Sequence, residues 1–369
     1  MTRGILKWRF SGSLALAVLL VIAIFVCWSW QRSRGVSTPQ AYTVGLLVDG
    51  SRYSDGWYSL NFDAAVRASA KAGAELMVTD NLHGDIRAMM NACDQMLRRG
   101  TGIIMLSSFQ DPSLLRSYMK DHAYVQFTGY DDGVTLKNYH SLRFKLYEAA
   151  YMLGAAAALK SKSGIAGFIV PDLNHNAKIC VNAFMMGAKA VRDKFKVLVS
   201  STGAFSDQKK AEDSVDTLTG RGADVICYRL DEDHVSAYCE KKGINYVSFN
   251  TLSGVSSHAL LWSEFDFSTY FSEILRAYSE RTLRDLVWIG AQDGAFGPGR
   301  ISSRLGRKAR ERINEIYDSL SSGDEVIFKS PLVDNYGHSH SAQSDYFSDR
   351  ELLGGMNFWV QGVEITDAR

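Results

Sequence analysis

The chain carries almost no net charge: 41 lysines and arginines face 40 aspartates and glutamates, leaving +1 over 369 residues. A protein built to hold a polyanion shows a marked basic excess, so this balance argues against nucleic acid as a partner. Cysteine is scarce as well, and the five present do not form a disulfide framework. Cys93, Cys180, Cys227 and Cys239 fall in expected helices or strands, where a buried free thiol is the default, although Cys227 and Cys239 could approach each other. Catalytic signatures are missing too. There is no Gly-x-Ser-x-Gly elbow and no Cys-His pattern. The glycine-rich run Gly294–Gly299 (GAFGPG) lacks the Lys-Ser/Thr ending of a phosphate loop and reads as a hairpin turn. His338 and His340 form a lone His-x-His without ligand partners at metal spacing, so they read as surface histidines. Asp131-Asp132 and Asp231-Glu232-Asp233 sit where solvated or capping carboxylates are common. No metal or cofactor is expected, and binding is a better class than catalysis.

Charge is absent altogether from Phe10 to Trp30. Such a helix spans about 30 Å, the depth of a bilayer core. Arg3, Lys7 and Arg9 precede it, and Trp28 and Trp30 occupy the interfacial position of aromatics. Residues 1–9 then form a short cytoplasmic N-terminus, 10–30 an uncleaved signal anchor and 31–41 a polar linker. No small-x-small site follows to favour a cleaved signal peptide, and Phe25 and Val26 fit poorly before a lipid-bearing Cys27.

What is present is organised around Tyr42–Leu76. Thr43–Val48 is a branched apolar run, the composition of a strand buried on both faces. Asp49–Gly56 breaks it with polar residues and glycines; Leu60, Ala64, Ala68 and Ala72 then share a helical face, and Gly73 ends the helix. A parallel strand running through a loop into a helix places that loop at the carboxyl edge of a sheet, where ligands bind in open α/β folds. Asp55, Trp57, Tyr58 and Ser59 lie there: an acceptor, two flat rings and a hydroxyl. They can stack a planar ligand and fix its polar edge, or the rings can simply pack the helix onto the sheet.

The alternation continues with strands at Ala74–Thr79, Gly102–Leu106 and Tyr124–Thr128 and a helix at Asp85–Arg99. It pauses around Asn138–Leu142, and a long Ala-rich helix runs from Leu146 to Leu159. The series then restarts, with strands at Gly164–Val170, Phe195–Ser200, Ala223–Tyr228 and Asn245–Phe249 separated by helices. Two successive units predict two lobes with parallel sheets and a cleft between their carboxyl edges. The tail is expected to add helices at Phe267–Glu280 and Ser303–Leu320 and a hairpin around Gly290–Ile301.

A set of short motifs in fixed order resembles the basic membrane protein family of substrate-binding lipoproteins. They are Asp55-Gly-Trp-Tyr-Ser59, Ser107-Ser-Phe109, Glu148-Ala-Ala-Tyr-Met-Leu-Gly154, Gly164-Ile-Ala-Gly-Phe168, Asn182-Ala-Phe184 with Gly187-Ala-Lys189, Gly222-Ala-Asp-Val-Ile226 and Met356-Asn-Phe-Trp-Val-Gln-Gly362. No one piece is specific; the order and spacing over residues 43–365 are. The resemblance implies an α/β, two-lobed periplasmic-binding-protein fold of type I. Lobe 1 is expected over about 42–140 and 264–328 and lobe 2 over about 141–263 and 329–365. Crossovers are expected near Asn138–Phe144, His258–Ser263 and Phe328–Asp334.

The resemblance further implies a solute receptor for an ABC importer on the outer side of a bacterial cell membrane. Its partners would be permease and ATPase subunits, and its ligand a purine nucleoside held between two rings. Tyr58 matches the first ring and Phe184 is the candidate for the second, with Asp55 and Ser59 at the ligand's polar edges and Ser108, Phe109 and Asn182 completing the set. Two positions depart from the family. Asn250 stands where a ribose-binding aspartate is frequent, and Asp266 where a lysine is common. A membrane-tethered sensor reusing the same fold is the alternative to a transport receptor.

Overall fold

The structure is a computed structural model and describes residues 42–53, 57–106, 112–130, 134, 136–205, 207–230, 234–249 and 256–366. The segment read as a membrane anchor lies outside them. Among the described residues no helix is long and apolar enough to cross a membrane.

The branched runs become strands. The first series is β1 (Thr43–Leu47), α1 (Trp57–Ala72), β2 (Glu75–Thr79), α2 (Ile86–Arg98), β3 (Ile103–Met105), α3 (Arg116–Asp121), β4 (Gln126–Gly129) and β5 (Tyr139–Phe144). Asp85 starts α2 by accepting the Arg87 and Ala88 amides at 2.9 and 3.1 Å, satisfying donors that a first helical turn leaves open. The second series is α4 (Leu146–Lys160), β6 (Ile165–Val170), α5 (His175–Lys189), β7 (Lys196–Ser201), α6 (Gln208–Gly220), β8 (Val225–Tyr228), α7 (His234–Lys242), β9 (Asn245–Ser248) and β10 (Ala259–Phe265). The chain continues through α8 (Phe267–Ser279), β11 (Leu286–Ile289), β12 (Phe296–Ile301), α9 (Arg307–Ser322), β13 (Leu332–Val333), β14 (Ser339–His340), α10 (Asp349–Gly355) and β15 (Val363–Ile365).

Two sheets result. The first has six parallel strands in the order β11-β5-β4-β3-β1-β2. The second has seven, in the order β12-β10-β9-β8-β6-β7-β15, with β12 antiparallel to β10 and the rest parallel. In the first lobe, Met89, Met96, Leu115 and Met119 cover Leu47, Ile104 and Phe127. In the second, α4 is apolar around its whole girth and lies inside the core with Phe168, Val199, Val225 and Val247. On the opposite face Ala211, Val215, Leu218 and Val235 pack over Ile169, Ile226 and Tyr246.

The chain passes between lobes three times, at 144–146, 265–267 and 289–296. The second passage lies beyond the expected His258–Ser263, because Ala259 to Ser263 lie in β10 of the second sheet. Asn138–Phe144 is not a bare crossover; it contains β5, hidden from the apolar pattern by His140, Ser141 and Arg143. His140 is buried with its ring nitrogens 2.7 Å from Gln126 Oε1 and 3.2 Å from the Arg284 carbonyl. The third passage is at 289–296 and not near Phe328–Asp334, so α9 belongs to the second lobe, where Ile313, Ile316 and Leu320 join its core. The expected hairpin at Gly290–Ile301 does not form, since β11 and β12 lie in different sheets. Phe296–Ile301 is instead an edge strand, a sheet position that accepts Pro298. Its Gly299 is required because a Cβ there would sit 2.4 Å from Trp262 Nε1.

Candidate ligand-binding cleft

The passages at 144–146, 265–267 and 289–296 gather the carboxyl ends of β5, β10 and β11 at one place, and aromatic side chains fill it. Trp57, first residue of α1, meets Phe267 edge-on at 4.9 Å and Tyr130 at 5.5 Å. Tyr130 stacks on Tyr270 at 5.2 Å, and Phe144 lies 5.2 Å from both Phe265 and Phe267. Phe265 continues the group into the second lobe by touching Phe296 at 5.8 Å. Edge-to-face and offset rings gain more than their buried area alone provides, so this group stiffens the junction while leaving Trp57 half-buried.

The β1–α1 turn is fixed from below. Asp49 Oδ1 accepts the Gly84 amide at 2.7 Å, and Arg52 meets Asp80 Oδ1 at 2.8 Å. The Arg52 hydrogen bond holds the Asp80 carboxyl below the usual carboxylate range. Tyr58 lies flat on this turn: a Cβ on Gly50 would be 2.4 Å from its ring. The indole that joins the interlobe aromatic group is therefore its neighbour Trp57.

Across the junction, Arg143 on β5 donates to Asn176 Oδ1 on α5 at 2.9 Å and lies over the Trp288 ring. Beside α5, Arg229 follows β8 and lies over Phe205, which follows β7. Glu148, in the first turn of α4, accepts the Ala291 amide at 2.8 Å and ties the first passage to the third. Burial pushes its carboxyl up to about 7 against the Ala291 hydrogen bond and Lys145.

Of the residues singled out in the sequence, Tyr58 and Ser59 lie at the start of α1, both half-buried. Asp55, Ser108, Phe109 and Asn250 lie outside the described residues. Two others do not reach the cleft surface. Phe184 is fully buried, edge-on to Phe168 at 5.2 Å inside the second-lobe core. Asn182 is equally buried; its amide donates to the Phe358 carbonyl at 2.9 Å and accepts the Val360 amide at 3.0 Å, clamping the closing segment onto α5. Asp266 caps α8, accepting the Ser268 amide and the Thr269 hydroxyl, each at 2.8 Å. A lysine could not cap this helix, because its ammonium has no acceptor. The two histidines are more than surface decoration, as His338 Nδ1 and His340 Nε2 reach Asp334 Oδ2 at 3.2 and 2.9 Å and His340 stacks on Phe358. Tyr130, Arg143, Phe205 and Arg229 were missed. Each sits within a few residues of the carboxyl end of a strand, which is the signal that could have found them.

A separate groove of about 910 Å³ follows α8 and β11 on the flank of the first lobe, lined by Arg67, Lys71, His140, Glu273 and Arg284 among others.

The family model described as ABC transporter substrate-binding protein, PnrA-like, matches residues 41–256. The chain belongs to this family. It is 26% identical over 282 residues to a purine-binding protein of Brucella abortus (strain 2308), covering 73% of this chain and 77% of that one. Among solved structures it is similar to a transcriptional activator of the comK gene from Bacillus halodurans, with 18% identity and a TM-score of 0.66 over 77% of this chain and 99% of the other. It is also similar to an ABC transporter solute-binding protein from Conexibacter woesei, with 16% identity and a TM-score of 0.60 over 77% and 98%. The two-lobed periplasmic-binding-protein fold and the substrate-binding family expected from the sequence are thus both found.

Proposed function

We propose that this substrate-binding protein takes a purine nucleoside or a similar planar solute between its lobes and presents it to an ABC permease and its ATPase. The observation that carries this reading is the aromatic group at the junction, with Trp57 at its edge on the loop side of α1. A purine needs a flat apolar face and a few fixed polar groups, and burial of both faces supplies much of its affinity. Kinship to a purine-binding protein supports the same class. Asp55, Ser59, Ser108, Phe109 and Asn250 remain the proposed polar and stacking contributors from the loops. We place the domain outside a bacterial cell membrane, tethered by the uncharged segment 10–30.

Titration calorimetry of the full chain in detergent with adenosine, guanosine, inosine and the free bases tests the ligand class. Saturable heat from at least one nucleoside is expected; none from any would overturn it. Carbonate washing of membranes tests the tether, which is wrong if the protein is released or if its mature form starts near residue 31.

A further inference from the structure

The second lobe presents a guanidinium at the carboxyl edge of its sheet. Arg229 stands one residue beyond β8, is half-buried, and has no hydrogen-bond or carboxylate partner for its side chain among the described residues; its neighbour is the Phe205 ring, 5.9 Å away. It shares a strand face with Cys227, two residues earlier, and Cys227 packs in the same core as Cys180 of α5. Asn176, one helical turn before Cys180, holds Arg143 from the first lobe at 2.9 Å. Arg143 thus reaches the start of α5 from the first lobe, and Arg229 continues the sheet face that packs with α5 in the second. Burial pushes the Cys180 thiol up, and both guanidiniums act against it, which agrees with their placement.

We infer that Arg143 and Arg229 form an anion subsite of the interlobe cleft, and that the preferred solute carries a phosphate monoester beside its planar ring. This rests on the reading of the cleft as a nucleoside-like site. Guanidinium groups suit the inference because their planar forks bind phosphate oxygens in pairs and never lose their charge. Two like charges facing one helix repel each other, and an anion held between them removes that repulsion, by more at half-buried groups than in open water. The first-turn amides of α5 have the same electrostatic sign and add to the effect without being needed for it.

The test compares inosine, inosine 5′-monophosphate and inorganic phosphate by calorimetry on the full chain, for the parent protein and for Arg229→Gln and Arg229→Lys. The monophosphate should bind at least tenfold tighter than inosine, the ratio falling as salt rises. Arg229→Gln should bring that ratio close to one, and Arg229→Lys should restore part of it. A ratio at or below one in the parent, or a ratio unmoved by Arg229→Gln in a variant with parental melting temperature, overturns the subsite while the nucleoside reading stands. If no purine compound binds, phosphate alone decides. A rise in melting temperature with phosphate that Arg229→Gln abolishes keeps the subsite and removes the nucleoside reading, and no rise removes both.

Discussion

A Cβ placed on Gly154 would lie 1.9 Å from the carbonyl oxygen of Phe184, and one on Gly187 would lie 1.9 Å from that of Tyr151. The contact is reciprocal, because each glycine stands three residues after the carbonyl that its opposite number touches. Helices α4 and α5 thus meet backbone to backbone, with no room for a methyl group between them. Their approach carries Asn176, near the start of α5, to the junction where Arg143 can reach it.

Gly154→Ala and Gly187→Ala should each destabilise the second lobe by about 3 kcal/mol, as overfilling of a tight core does. Urea denaturation would show an earlier midpoint with little change of slope. A loss below about 0.5 kcal/mol would mean that the helices can separate without penalty.

Trp57→Ala should weaken binding of a planar solute by at least tenfold, the worth of roughly one aromatic contact. Tyr58→Ala should act less, since its ring is spent on the Gly50 turn. Calorimetric dissociation constants for both variants settle the order; the reverse order would restore Tyr58 as the stacking ring.

Glu148 gives the junction a pH dependence. Its folded pKa is raised by burial from 4.5 to about 7, so the folded state binds a proton that the unfolded chain releases earlier. The stability this contributes is complete below about 4.5 and is lost as pH rises through about 7. The change is on the order of 3 kcal/mol. Lys145, Asp293 and Asp349 are the charged groups around it. Melting temperature should fall between pH 5 and about pH 8 in the parent, and Glu148→Gln, which keeps an acceptor for the Ala291 amide, should flatten the fall. An unchanged slope in the variant would assign the dependence to another group.

Asn182→Ala removes a donor and an acceptor that have no water to replace them, leaving the Phe358 carbonyl and Val360 amide unpaired. A cost of about 2 to 4 kcal/mol is expected. Hydrogen exchange should rise first at Val363–Ile365, which pairs with β7. Uniform exchange across the second lobe would contradict this local role.

Much of the fold is legible because branched apolar runs such as Thr43–Leu47 and Ile165–Val170 have few alternatives to a buried strand. β5 was not legible, since the burial of His140 depends on Gln126 and on the Arg284 carbonyl, which is distant in sequence. Nor was β12, whose glycines and proline signal a turn until Trp262 is seen lying against Gly299. The candidate site was legible only as a neighbourhood. The motif around Asp55–Ser59 points to the β1–α1 loop, yet spacing cannot tell which of Trp57 and Tyr58 joins the interlobe aromatic group. Phe184 illustrates the same limit: a ring on a family motif and a ring in a core share one helical spacing until Gly154 brings α4 against it.

The order of strands also sets a timetable for the ribosome. Sheet one needs β11 beside β5, but the strands β6 to β10, which belong to the other sheet, are translated between them. Until Leu286–Ile289 has left the exit tunnel, the nascent first lobe carries β5 as an open edge, the kind of surface that pairs with neighbouring chains. A pause in elongation between residues 144 and 286 would therefore prolong that exposure, and a holding chaperone acting in that interval would raise the yield.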